Sequence, residues 1–187
     1  MIRIVWHWTG GAHTANTTDK RHYHYIIDGD GTVVAGNHPP EVNAVLHNPN
    51  SSSTYAAHTR GLNTGSIGIA VAAMRGAQER PFNAGPSPIT EAQVEALEKL
   101  TARLCAQYDI QVERDNVLSH ADVQPTLKVA QRNKWDITWL PGMKGVGDAV
   151  AVGDELRKAV REEMQVAKHP LSVFIKAIAT LFTKARK

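Results

Sequence analysis

Cysteine is almost absent from this chain, one in 187 residues at Cys105. That excludes an internal disulfide framework and leaves the fold independent of an oxidising compartment. No apolar run reaches 18 residues, so no membrane-spanning helix is expected. The opening residues, MIRIVWHWTGG, hold too short an apolar stretch for a secretory signal and no cleavage pattern. Synthesis in a cytosol is expected, and action elsewhere then requires a separate route of release. Positive charge is scarce where nucleic acid would need it. The formal net charge is +3, but residues 168–187 carry five Lys/Arg and no acid, leaving 16 basic against 18 acidic side chains before them. A main domain that is slightly acidic gives a nuclease reading no phosphate-binding footing. Internal repeats and low-complexity tracts are missing too.

What is present suits one domain with a modest appendage: 42% apolar residues for a core and 21% charged residues for a soluble surface. Ile2 to Trp8 reads as a buried strand ending at Thr9-Gly10-Gly11. Ala12 to Lys20 reads as polar loop. Two short β-rich runs around Asp28-Gly29-Asp30-Gly31 predict a hairpin. Asn37 to Ser53 reads as surface loop, and Ser66 to Met74 as a second buried strand. A helix is predicted from Thr90, where Thr90-Glu91-Ala92-Gln93 fits a capping box and Val94, Leu97, Leu100, Leu104 and Tyr108 form its apolar face. Cys105 belongs to that helix as a small core residue. A short strand, Asn116 to Ser119, delivers His120. Beyond a glycine-containing linker, Asp154 to Ala167 predicts a charged helix and Pro170 to Lys187 a basic amphipathic one.

The chemistry concentrates in VLSHADVQPTLKVAQRNKWDITWL, Val117 to Leu140. His120 and Asp136 are good ligands for a divalent metal, with Lys134 two residues before the Asp. His7, at the end of the first strand, is a third. Two His and one carboxylate with a fourth position left to water is the catalytic pattern for zinc, since structural sites fill all four positions. Asp122 is a rival to Asp136 for the third place.

Four motifs occurring in order, WHWTGG, YHYIIDGDGTVV, HTRGLNTGSIGIAV and SHADVQP…KWD, resemble the type 2 zinc-dependent N-acetylmuramoyl-L-alanine amidases over about residues 1–140. That class takes in phage lysozyme-type amidases, AmpD enzymes and peptidoglycan-recognition proteins. The resemblance implies an α/β fold, a central mixed β-sheet flanked by helices, with catalytic domain 1–142 and linker and C-terminal helices 143–187. It implies Zn2+ held by His7, His120 and Asp136. Zinc lowers the pKa of bound water to about 7 and polarises the scissile carbonyl. By the same resemblance Lys134 supports the developing oxyanion, with Lys128 a weaker candidate, and Tyr23 shuttles protons. The AmpD branch uses a Glu where this chain has Ala70, so the chain resembles the tyrosine branch. Tyr25 shares a strand face with Tyr23 by spacing and stays open. His58 matches a substrate-contacting His, and Asn63 and Thr64 would line the same groove. His13, His22, His24, His38, His47 and His169 match no family role and read as loop or surface histidines.

The function implied is cleavage of the amide between N-acetylmuramic acid and L-alanine of the stem peptide in peptidoglycan. Two alternatives stand beside it: a recognition module of the same fold that binds without cutting, and a cytosolic amidase recycling wall fragments. The basic end, 168–187, has two readings, packing on the domain or a partner, and contact with an anionic surface such as outer-membrane lipopolysaccharide. The second favours a phage endolysin released to the periplasmic wall by a holin.

Overall fold

The computed structural model describes residues 1–45 and 54–168. The helix expected over 170–187, His47, His169 and the end of the 37–53 loop lie outside them. The element order is β1 (Arg3–Trp8), α1 (Thr17–His22), β2 (Tyr25–Ile27), β3 (Val33–Ala35), β4 (Ser66–Val71), α2 (Glu91–Tyr108), β5 (Val117–Ser119), α3 (His120–Leu127) and α4 (Ala149–Lys168). The strands form one mixed sheet in the order β3-β2-β4-β1-β5, parallel throughout except for the β2–β3 hairpin.

β1 and β4 read as continuous apolar runs because both sheet faces are covered. On one face Ile4, Trp6, Ile67, Ile69 and Val71 meet Leu97, Leu100 and Leu104 of α2 and Leu156 and Val160 of α4. The Trp6 indole N–H donates to Thr101 Oγ1 of α2 at 2.9 Å, so this buried donor is paired. On the other face Val5, Leu118 and Val123 form a smaller cluster under α3. Cys105 is buried within α2, where desolvation pushes its thiol up to about 12. The capping box at Thr90 and Gln93 is formed.

Two expectations need correction. Residues 12–20 are not all loop, since α1 begins at Thr17. Asn16 caps the amides of Thr18 and Asp19, and the Asp19 carboxylate accepts from Asn16 N–H at 3.0 Å. A six-residue helix without an apolar face leaves no periodicity to read. α4 starts at Ala149, five residues before the predicted start, because Asp148 Oδ1 accepts from Ala151 N–H at 3.0 Å. It is also a full member of the core. Arg157, 1% exposed, donates to Val117 O at 2.8 Å and to Asp122 Oδ2 at 2.6 Å, tying α4 to β5 and α3. No helix among the described residues is long and apolar enough to cross a membrane.

Candidate metal centre

Alternation along β1 sends Ile4 and Trp6 toward α2 and puts Val5 and His7 on the α3 face. His7 is fully buried there. β5 ends at Ser119, whose hydroxyl oxygen accepts from Asp122 N–H at 3.1 Å and starts α3. His120 is therefore set at a strand-to-helix junction. Asp136 comes in from the following loop. Its carbonyl accepts Ala121 N–H at 2.6 Å, one of the amides that a helix start leaves without an internal partner. That contact brings the Asp136 carboxylate beside His120.

His7 Nδ1 and His120 Nδ1 are 3.0 Å apart, and Asp136 Oδ2 is 3.2 Å from each. All three side chains are buried. Burial drives the His7 ring down to about 4, beyond the opposing pull of its hydrogen bond with Asp136, so the ring is uncharged near neutral pH. Burial alone would raise the Asp136 carboxyl, but the His120 and His7 rings against it outweigh that and hold it well below the carboxylate range. A carboxylate oxygen and the lone pair of an uncharged imidazole are both acceptors. Their convergence suits a cation. Three ligand atoms at 3.0–3.2 Å also approach the corners of a tetrahedral site, whose edges are about 3.3 Å for bonds of about 2.0 Å. The residues fit a zinc-type ion.

The rival carboxylate is engaged elsewhere. Asp122 Oδ2 meets Arg157 and its Oδ1 accepts the Thr126 hydroxyl at 2.8 Å, so it does not join the cluster. Tyr23 and Tyr25 do not share a strand face as expected, because Tyr23 precedes β2 as the C-cap of α1, its N–H on Asp19 O at 3.0 Å. The Tyr23 ring lies 5.1 Å from that of His7, and burial, with Asp136 and Asp19 nearby, raises its hydroxyl pKa and keeps it protonated. Tyr25 packs instead against the core on the α2 side. Lys134 is exposed and lines a groove with Ala57, His58, Arg60, His120 and Arg132. Lys128 points its ammonium at Pro125 O, 2.7 Å away, and closes the end of α3 rather than the site.

His58 lies one layer behind the cluster. Its Nδ1 is 3.2 Å from His7 Nε2 and 2.8 Å from Thr59 Oγ1. Its ring rests on Gly68, where a Cβ would come within 2.5 Å. Asn63 borders the groove, but its side-chain oxygen accepts from the amides of His58 and Thr59 at 2.9 and 2.7 Å, fixing that turn. Thr64 is exposed in the turn before β4 and does not line that groove. His24 corrects a surface expectation. It is 1% exposed, its Nδ1 accepts Gly68 N–H at 2.9 Å, and burial lowers it to about 4. Sequence reasoning also missed Gln131, buried against His120, and Arg157, hidden within a charged helix; neither carries a spacing signal.

The structure thus sets a buried two-histidine, one-carboxylate cluster that could hold a metal ion on a mixed α/β sheet. Residues 2–142 match the family described as N-acetylmuramoyl-L-alanine amidase, and the chain belongs to it. α4 lies past the matched region. No curated protein matches the chain. Among solved structures, the chain is similar to the N-acetylmuramoyl-L-alanine amidase LysC of Clostridium intestinale URNW, at 21% identity, covering 66% of this chain and 72% of that one, TM-score 0.42. It is similar to the Ph2119 endolysin of the Thermus scotoductus MAT2119 bacteriophage, at 18% identity, 83% of each chain, TM-score 0.46. It is also similar to E. coli AmiD in complex with the substrate anhydro-N-acetylmuramic acid-L-Ala-D-gamma-Glu-L-Lys, at 23% identity, 74% of this chain and 52% of that one, TM-score 0.46.

Proposed function

We propose that this chain is a zinc-dependent peptidoglycan amidase of the endolysin kind, hydrolysing the bond between the lactyl group of N-acetylmuramic acid and L-alanine of the stem peptide. The observation that carries the reading is the buried convergence of His7 Nδ1, His120 Nδ1 and Asp136 Oδ2 in a chain of the amidase family. When bound, zinc supplies a Lewis acid for the scissile carbonyl and makes water a nucleophile at neutral pH. His7, His120 and Asp136 hold the ion. Arg60, Arg132 and Lys134 give the adjacent groove three cations, suited to the carboxylates of a stem peptide. Lys134 faces the oxyanion as it develops. Tyr23, kept protonated by burial, hands a proton to the leaving amine as the C–N bond breaks. Ala70 lies beside His7 in the β1–β4 register and has no proton to offer, which favours the tyrosine over a carboxylate at that strand.

A recognition module that binds muropeptide without cutting would have no need of a complete ligand set, and this chain keeps all three. Elemental analysis for zinc, with peptidoglycan digests followed by mass spectrometry, tests the reading. One zinc per chain and release of stem peptides with a free L-alanine amine are expected, both lost in Asp136→Ala. A folded wild type with no zinc, or with zinc and no cleavage, would overturn the enzyme reading in favour of the binding module.

A further inference from the structure

The loop between α3 and Asp136 is irregular and costly. Lys128, Arg132 and Asn133 all take positive φ, at 61°, 53° and 55°, a region that L side chains occupy at an energetic penalty. Its middle residue, Gln131, is 3% exposed and is tied down on every side. Its backbone N–H donates to Gln124 Oε1 at 3.0 Å. Its side-chain amide nitrogen donates to Arg60 O at 2.9 Å and to Val129 O at 3.3 Å. Its Oε1 faces His120 Nε2 at 3.0 Å.

These contacts leave one assignment. Turning the amide over would set its oxygen against two carbonyl oxygens, so Oε1 is the atom that faces His120. An amide oxygen only accepts, so His120 Nε2 carries a proton, and Nδ1 is the nitrogen that can offer a lone pair. Nδ1 is the atom 3.0 Å from His7 Nδ1 and 3.2 Å from Asp136 Oδ2. We infer that Gln131 is a positioning residue, which fixes both the rotation and the tautomer of His120 and so aims its Nδ1 lone pair at the metal-binding cluster. The strained 128–133 loop is then the support that carries this amide into the interior. Outer partners of this type hold ligand rings ready and tune their basicity. The inference rests on the metal reading above for its purpose, but not for its geometry.

The full chain tests it in two ways. In metal-free wild type, nitrogen-15 shifts of the histidine rings should show His120 as the Nε2–H tautomer; an Nδ1–H tautomer overturns the inference whether or not zinc binds. Zinc affinity by chelator competition then separates aiming from simple tethering of the loop. Gln131→Leu removes the acceptor and should weaken zinc about 10–100-fold. Gln131→Glu keeps an acceptor for His120 but loses both donors and sets an oxygen against Arg60 O and Val129 O, so it should weaken zinc clearly less than Gln131→Leu does. Equal weakening in the two variants would make Gln131 a tether only, and unchanged affinity in Gln131→Leu would remove it from the site altogether. Should Gln131→Leu fail to fold, the tautomer and Gln131→Glu still decide. A wild type that binds no zinc but shows the Nε2–H tautomer sinks the metal reading and leaves the ring-fixing role standing.

Discussion

Two buried carboxylates follow His120, and they keep opposite company. Asp122 meets the Arg157 guanidinium at 2.6 Å and the Thr126 hydroxyl at 2.8 Å. Asp136 meets imidazole nitrogens at 3.2 Å. The first charge is neutralised inside the protein by a permanent cation, whose guanidinium also donates to Val117 O, Val150 O and Asp154 Oδ1. Among the described residues the second has no Lys or Arg in contact, and a buried charge without a counter-ion is costly. One region is a clamp joining α3 to α4, and the other is a buried cluster that could hold a cation. Burial alone does not mark a ligand; what faces it does.

The comparison can be broken by asking each region for the other's phenotype. The largest effect belongs to the Asp136 side. Tyr23→Phe should lower turnover on peptidoglycan by about 10²–10⁴-fold, the usual range for losing a positioned proton-transfer group. Zinc content and melting temperature should stay at wild-type values. A fully active Tyr23→Phe would take the tyrosine out of the mechanism. The clamp should behave in reverse. Asp122→Ala leaves Arg157 buried with only Asp154 as an acidic partner, 2.8 Å away, and should cost about 3 kcal/mol by urea unfolding. Zinc stoichiometry should be retained, and turnover should persist where the variant is folded. Zinc lost from Asp122→Ala with stability intact would invert the assignment of the two carboxylates.

His7 was legible because β1 follows a simple rule: a strand alternates, and an apolar run broken by His before a glycine pair leaves that His on the sheet's second face. His120 was legible because its short strand and its cap are local. α2 was readable down to its capping box, since eighteen residues of helical period outweigh any competing signal. The choice of Asp136 over Asp122 rests on the family resemblance of Lys134-Trp135-Asp136, and the physical reason for it could not be read. It depends on Arg157, 35 residues from Asp122, whose burial only the packing of α4 brings about. Gln131 was unreadable for the same kind of reason, since an amide in a polar loop gives no hint that its partners are Arg60 O and His120. His24 reads as a loop or surface residue because histidine has no burial preference strong enough to show in sequence.

The smallest effect, and the one that grades the two regions most finely, is the response to acid. The folded protein holds His7 and His24 at about 4, against 6.5 for a free ring. Between those values the unfolded chain takes up protons that the folded chain refuses, so stability is full above about pH 6.5 and falls as pH drops toward 4. The slope contributed by each ring is at most about 1.4 kcal/mol per pH unit. Asp136 acts in the same direction at lower pH, since its lowered value makes protonation there a further loss. In metal-free protein the urea midpoint should therefore decline from pH 6.5 to 5, and His24→Gln should make that decline shallower. Asp122→Ala should lower the midpoint throughout the window without changing its slope, because no imidazole takes part in the Arg157 clamp. A midpoint that stays flat from pH 6.5 to 5 would mean that these rings titrate alike folded and unfolded, and the case for a dry, charge-poor pocket around His7 would fail with it.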